Sequence, residues 1–312
     1  MKERRKRNMS RTGLLFMFCL LMLCGCAQIT GFMENTEVSG REVESLAAEK
    51  EDDTVLLGGM PVGIYMETDG VLVLDTEKMT GMDGKEYTPA QGVVSSGDYI
   101  TEVNHQKIEG KKQLMDLVEH LDGEKVLLTV RRENTILEKK LTPVQISKGN
   151  YRLGIWVRDN VQGLGTITFL TKNNRFAALG HGIHDIDTST LLTIKRGTLY
   201  RTSIQKVQKG SKGNPGTMEG IIVYNRFHRL GVIEKNTDAG IYGELNSDRS
   251  WIGEEVPIQV AKKEEIKTGE ARIRCYIDGE VKEYTICITQ IDKESDQVNK
   301  GMIIQVTDTE LL

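Results

Sequence analysis

Ser96-Gly97-Asp98-Tyr99-Ile100-Thr101-Glu102-Val103-Asn104 reads as a turn that feeds a strand. Working outward, Lys111 to Leu121 carries Leu114, Leu117, Val118 and Leu121 at the i, i+3, i+4, i+7 spacing of a helix. Val126 to Arg132 and Ile136 to Leu141 then form a hairpin pattern around Glu133-Asn134. On the N-terminal side, Val55-Leu56-Leu57 and Val62 to Met66 open a small sheet, and Gly70 to Leu74 is a buried strand. Strands, one long helix and a closing hairpin define an α+β domain over residues 54–145.

Residues 151–312 are mostly β by pattern. Gly165 to Leu170 and Arg175 to Leu179 flank an Asn173-Asn174 turn. Further β segments follow at Leu191 to Ile194, Gly220 to Tyr224, Val256 to Val260, Ala271 to Ile277, Tyr284 to Ile291 and Met302 to Val306. No sustained helical period appears. Short strands separated by Gly and Asn/Asp turns predict a sandwich or barrel, so the chain as a whole is mainly β.

The first thirty residues differ. Lys2, Arg4, Arg5, Lys6, Arg7 and Arg11 precede an apolar run from Gly13 to Cys26. That run is shorter than the roughly 20 residues of a spanning helix and matches the apolar region of an export signal. Leu23-Cys24-Gly25-Cys26 resembles a bacterial lipobox, and lipidation of Cys26, an uncleaved anchor and ordinary cleavage remain open. Each places the folded part outside the cytoplasm, at the outer face of the membrane. Residues 1–30 are therefore read as a signal or anchor and the acidic residues 31–53 as a linker.

A net charge of −4 over 312 residues argues against a nucleic-acid partner. Of five cysteines, Cys19, Cys24 and Cys26 lie in the targeting segment. Asp278-Gly279 is a two-residue hairpin signal that sets Ile277 opposite Glu280 and Cys275 opposite Lys282. Cys287 is then roughly 17 Å further along the partner strand, too far for a disulfide.

The Ser-Gly-Asp-x-Ile-x-x-Val-Asn stretch, the helix after it and the Val126 to Val130 strand resemble a PDZ domain. The resemblance implies that an extended peptide is taken as an added strand, with its terminal carboxylate held by backbone N–H groups. The matching loop is Leu57-Gly58-Gly59-Met60, where glycines permit close backbone approach.

The segment with most chemistry is Ala178-Leu179-Gly180-His181-Gly182-Ile183-His184-Asp185-Ile186-Asp187-Thr188. The flanking glycines leave the His181 imidazole approachable, as a general base requires. A surface or capping histidine is the plainer reading. His184, Asp185 and Asp187 also offer atoms for a divalent ion, but there is no distant further ligand at a recognisable spacing. No metal and no cofactor is assigned.

This histidine segment, then Gly213-Asn214-Pro215-Gly216, Asn236-Thr237, Gly240-Ile241-Tyr242-Gly243, Lys300-Gly301-Met302 and Thr307-Asp308, resembles the stage IV sporulation protein B (SpoIVB) peptidases. The resemblance implies a PDZ domain followed by a chymotrypsin-like β-barrel peptidase domain over 151–312. It assigns His181 as catalytic histidine and Asp308 as the acid of the site. Asp238 lies at a more usual distance after His181 but has no support from the resemblance.

The family's serine lies shortly after the acid, in a Gly-x-Ser-Gly-Ser-Pro motif. No Gly-x-Ser-Gly occurs in this sequence, and Ser96 belongs to the PDZ pattern. The peptidase domain is accordingly expected to be incomplete at its C-terminal end, and this chain inactive.

The implied function is a sporulation signalling serine endopeptidase, working between mother cell and forespore. It would cleave itself and a membrane-associated regulator of an intramembrane protease, triggering sigma-factor precursor processing. The alternative is a non-catalytic PDZ adaptor or lipoprotein.

Overall fold

The computed structural model describes residues 54–252, 255–277, 279–295 and 300–312. They fall within one unit, Val43–Leu312. The export-signal and linker readings of residues 1–53, with Cys19, Cys24 and Cys26, lie outside the described residues.

The first strands are β1 (Thr54–Leu57), β2 (Pro61–Thr76), β3 (Met79–Thr80), β4 (Glu86–Tyr87), β5 (Tyr99–Val103) and β6 (Gln106–Lys107). Helix α1 (Lys111–Glu119) precedes β7 (Val126–Arg132), β8 (Thr135–Leu141), β9 (Val144–Ser147) and β10 (Asn150–Arg152). Next come β11 (Ile155–Leu170), β12 (Arg175–Ala178), β13 (Ile194–Tyr200), β14 (Thr202–Gln208) and β15 (Thr217–Ile222). The last are β16 (Arg229–Thr237), β17 (Gly240–Leu245), β18 (Pro257–Gln259), β19 (Gly269–Ile277), β20 (Glu280–Ile291) and β21 (Met302–Val306). The chain is mainly β, as its patterning implies.

Two long strands organise the molecule. The first half of β2 pairs with β11 on one edge and β13 on the other. β13 pairs with β16, β16 with β17, β17 with β12, and β12 with the end of β11. The pairings return on themselves, so β2, β11, β12, β17, β16 and β13 form a closed antiparallel ring. Closure leaves no free edge and gives every strand an inner face. Along β2 the period of two sends Val62, Ile64 and Met66 inward, all fully buried. They meet Ile167, Phe176 and Ile241 in the barrel core.

The second half of β2 turns to a different core. Val71–Leu72 pairs with β5, and β5 continues through β7 to β8. Val71 and Val73 pack there with Ile100, Leu114, Leu128 and Val130. This is the strand–helix–hairpin order expected of a PDZ domain. The helix is that expected at Lys111, ending at Glu119 with a short cap rather than at Leu121. β1 and the first half of β2, expected within residues 54–145 as part of the PDZ sheet, serve the barrel.

After Leu245 the described residues form no second ring. β19, β20 and β21 make an open three-stranded sheet. Its Ile277–Glu280 turn and the Cys275–Lys282 pair have the expected register. Cys275 and Cys287 are free.

Candidate functional site

The histidine segment leaves the barrel where β12 ends. Ala178 is held on both sides, opposite Ile167 of β11 and Ile241 of β17. Leu179 then takes φ +73° and Gly180 φ +77°. A left-handed leucine is strained, and glycine relieves the next step of the same bend. This throws His181 outward, where it is exposed. Its Nδ1 lies 2.9 Å from the Gly182 carbonyl oxygen.

Gly182 is required by packing. A Cβ there would meet the Thr237 carbonyl oxygen at 2.5 Å. Its N–H donates to the Asp238 carbonyl at 3.1 Å, fastening the loop to the β16–β17 turn. His184 Nδ1 approaches the same Gly182 oxygen at 3.3 Å, and its Nε2 lies 3.6 Å from Asp238 Oδ1. Asp238 therefore faces His184.

Three further devices hold the loop. The Asn236 side chain accepts from the Ile183 N–H and donates to the Ile183 and Leu192 carbonyls. Asp185, buried, accepts from the Asp187 and Thr188 N–H groups through Oδ1. Arg158 of β11 donates to Asp185 Oδ2, and at 2.8 Å to Asp187 Oδ2. Asp185-x-Asp187 thus builds a turn and its counter-charge. Among the described residues no three His, Cys, Asp or Glu side chains come together in a way that could hold a metal ion.

Asp308 is occupied elsewhere. Its Oδ2 accepts from the Thr285 N–H at 3.1 Å and its Oδ1 from the Glu310 N–H at 3.0 Å. The Thr285 N–H first, then that of Glu310, holds its carboxyl below the ordinary carboxylate range. Among the described residues no hydrogen bond or ion pair joins it to His181. Ser96 lies in the turn held by Asp98 and Arg132, and it has no hydrogen bond to His181.

The Leu57-Gly58-Gly59-Met60 loop is also engaged. The Leu57, Gly58 and Gly59 N–H groups donate to the Val256, Thr168 and Ile167 carbonyls, and Met60 is buried in the barrel core. These N–H groups are not offered to a peptide carboxylate.

A groove of about 630 Å³ lies instead between α1 and the β10–β11 segment. Leu114 and Val118 line one side, and Tyr151, Leu153 and Trp156 the other. Met115 and Trp156 are 53% and 60% exposed, which marks the groove as open and apolar. Leu153 and Gly154 sit between β10 and β11, and neither N–H has a backbone acceptor among the described residues.

The SpoIVB peptidase S55 family matches residues 149–312. The chain belongs to the SpoIVB peptidase S55 family. The match contains His181, its Asp185–Asp187 turn, Arg158, Asn236 and Asp308, so this S55 chain carries its candidate site within the matched half. A Helicobacter pylori protein named as a zinc metalloprotease is 28% identical over 180 residues, half of each protein. The S55 chain thus spans about half the length of that relative. The PDZ domain of an SdrC-like protein from Listeria monocytogenes is 22% identical, covering 28% of this chain and 87% of that domain, with a TM-score of 0.24.

Sequence reasoning singled out His181 and missed Arg158, which stands 27 residues before Asp185. The available signal was the acid pair: two carboxylates beside a histidine loop call for a cation.

Proposed function

We propose that this chain carries the general base of an exported serine endopeptidase that acts on protein substrates. His181 is the general base that takes the serine proton and returns it to the leaving amine. By resemblance the serine belongs to a Gly-x-Ser-Gly-Ser-Pro motif, which is not among the residues of this sequence. The observation that carries the reading is His181 itself. It stands exposed on a glycine-flanked turn at one end of a closed six-stranded barrel, in a chain of a peptidase family.

The orienting acid is a separate question. Asp308 has the support of the resemblance, whereas Asp238 stands beside the loop and faces His184. By resemblance the substrates are the protein itself and a membrane-associated regulator of an intramembrane protease during sporulation, at the outer face of the cytoplasmic membrane. The groove beside α1 is the proposed seat for a peptide, which would add a strand along Ile155–Val157. The Leu153 and Gly154 N–H groups, which have no backbone acceptor among the described residues, support this seat over Leu57–Met60.

The test is self-cleavage of the full-length gene product, followed by immunoblot. His181→Ala should abolish it, and so should alanine at the family serine. A His181→Ala protein that still processes itself at the wild-type rate would overturn the role of His181, and a wild-type protein that never processes itself would favour the adaptor reading, in which the groove binds peptide and the barrel is a scaffold.

A further inference from the structure

We infer that Arg158 is the positioning residue of the His181 loop, an inference that rests on the peptidase reading above. The Asp185 side chain is fully shut off from solvent, whereas that of Arg158 is 30% exposed. A buried carboxyl group needs a counter-charge or hydrogen bonds to offset its lost hydration. Arg158 supplies the charge, and the Asp187 and Thr188 N–H groups supply bonds to the other oxygen.

Asp185 is also the backbone hub of its loop. Its N–H donates to the Thr190 carbonyl and its carbonyl accepts from the Ser189 N–H. Because the guanidinium forks across Asp185 and Asp187, it fixes two points of the turn that begins next to His184. That geometry suits Arg and not Lys.

Arg158 is itself held on a fixed platform. The ladder with β2 is irregular on both sides of it, between Trp156 and Val157 and between Arg158 and Asn160. Such irregularities re-aim side chains. The next residue, Asp159, accepts from the Lys111 N–H at 2.7 Å and from Asn160 Nδ2 at 2.8 Å. The backbone at Arg158 is thereby tied to the start of α1. Beneath the loop, Leu192 packs with Leu72 and Tyr99, and Ile183 lies against them. The hydrophobic contacts fix the depth of the loop, and Arg158 fixes its lateral position.

A purely structural role for Arg158, neutralising a buried charge, makes a different prediction. The discriminating experiment uses the full-length gene product, with thermal unfolding and the self-cleavage rate measured together. Arg158→Met should slow self-cleavage by about 100-fold, the scale of an ångström-sized misplacement. Arg158→Lys should recover part of that rate. The double variant Arg158→Met/Asp185→Asn removes the buried charge with its partner and keeps an acceptor for the Asp187 and Thr188 N–H groups. It should recover thermal stability and remain slow. If it is both stable and as fast as wild type, Arg158 only neutralises Asp185 and the inference fails. His181→Ala runs alongside: activity retained there overturns the role of His181 in the peptidase reading, whatever Arg158 does.

Discussion

Asn236 holds Ile183 by both backbone groups. Its Oδ1 accepts the Ile183 N–H at 2.9 Å, and its Nδ2 donates to the Ile183 carbonyl at 2.9 Å and to the Leu192 carbonyl at 3.0 Å. One side chain on β16 thus substitutes for a strand partner along the loop that carries His181 and His184. Asn236→Leu removes three hydrogen bonds at about 1 kcal/mol each and should destabilise by about 3 kcal/mol in urea unfolding. Asn236→Asp keeps the acceptor but turns a carboxylate toward two carbonyls, and should be at least as harmful. Wild-type stability in Asn236→Asp would show that the two donated bonds contribute nothing.

Asp308 should act through the β19–β21 sheet. Its folded-state pKa is lowered, chiefly by the Thr285 N–H and then by the Glu310 N–H. On acidification the unfolded chain therefore takes up the proton first. The stability it contributes is present above the ordinary value of 3.8 and is lost as pH falls through the lower folded value. Asp308→Asn should have a lower urea midpoint than wild type at neutral pH, and the gap should close in acid. A gap constant with pH would mean that the carboxylate charge plays no part.

The two folded-part cysteines should behave as separate thiols. Cys275 lies opposite Lys282 and Cys287 opposite Glu270. Burial pushes the Cys275 thiol above its ordinary 9.0. Without reductant, peptide mapping should recover both as alkylated thiols, with modification of Cys275 accelerating as pH rises. A peptide linking Cys275 to Cys287 would show that the register is wrong.

The local devices were legible in the sequence because their signals are local. The Glu133-Asn134 hairpin has Arg132 opposite Thr135, and the Asp278-Gly279 signal set its strand pairs correctly. The Val62–Met66 and Gly70–Leu74 segments read as separate strands in the sequence, whereas they belong to one strand, β2. Thr68 Oγ1 donates to the Gly70 carbonyl, yet the strand runs on, supported by β11, β13 and β5. Its partner β13 is more than a hundred positions away, as the Arg196–Glu67 contact at a separation of 129 records. Nothing in the local sequence announces such pairings. His181 was legible from its glycines, whereas the residues that hold its loop come from β11 and β16.

The glycines of the two rival peptide loops separate their roles. A Cβ on Gly58 would stand 2.0 Å from the Ile167 carbonyl oxygen and 2.7 Å from that of Thr168. Those atoms belong to β11 and cannot yield without opening the barrel, so Gly58→Ala should cost about 3 kcal/mol, the upper range for overpacking. Gly154 is different. Its φ is +67°, and its Cβ would meet the Glu77 carbonyl oxygen and Pro89 Cγ, both at 3.0 Å. Alanine there brings a left-handed backbone penalty of about 1–2 kcal/mol and disturbs the Leu153–Gly154 N–H groups. Binding of a fluorescent peptide with an apolar C-terminal residue, followed by anisotropy, should weaken in Gly154→Ala. It should be unchanged in the folded fraction of Gly58→Ala. The reverse result, full binding in Gly154→Ala and loss in Gly58→Ala, would return the peptide site to Leu57–Met60 and require the β1–β11 contacts to open when peptide binds.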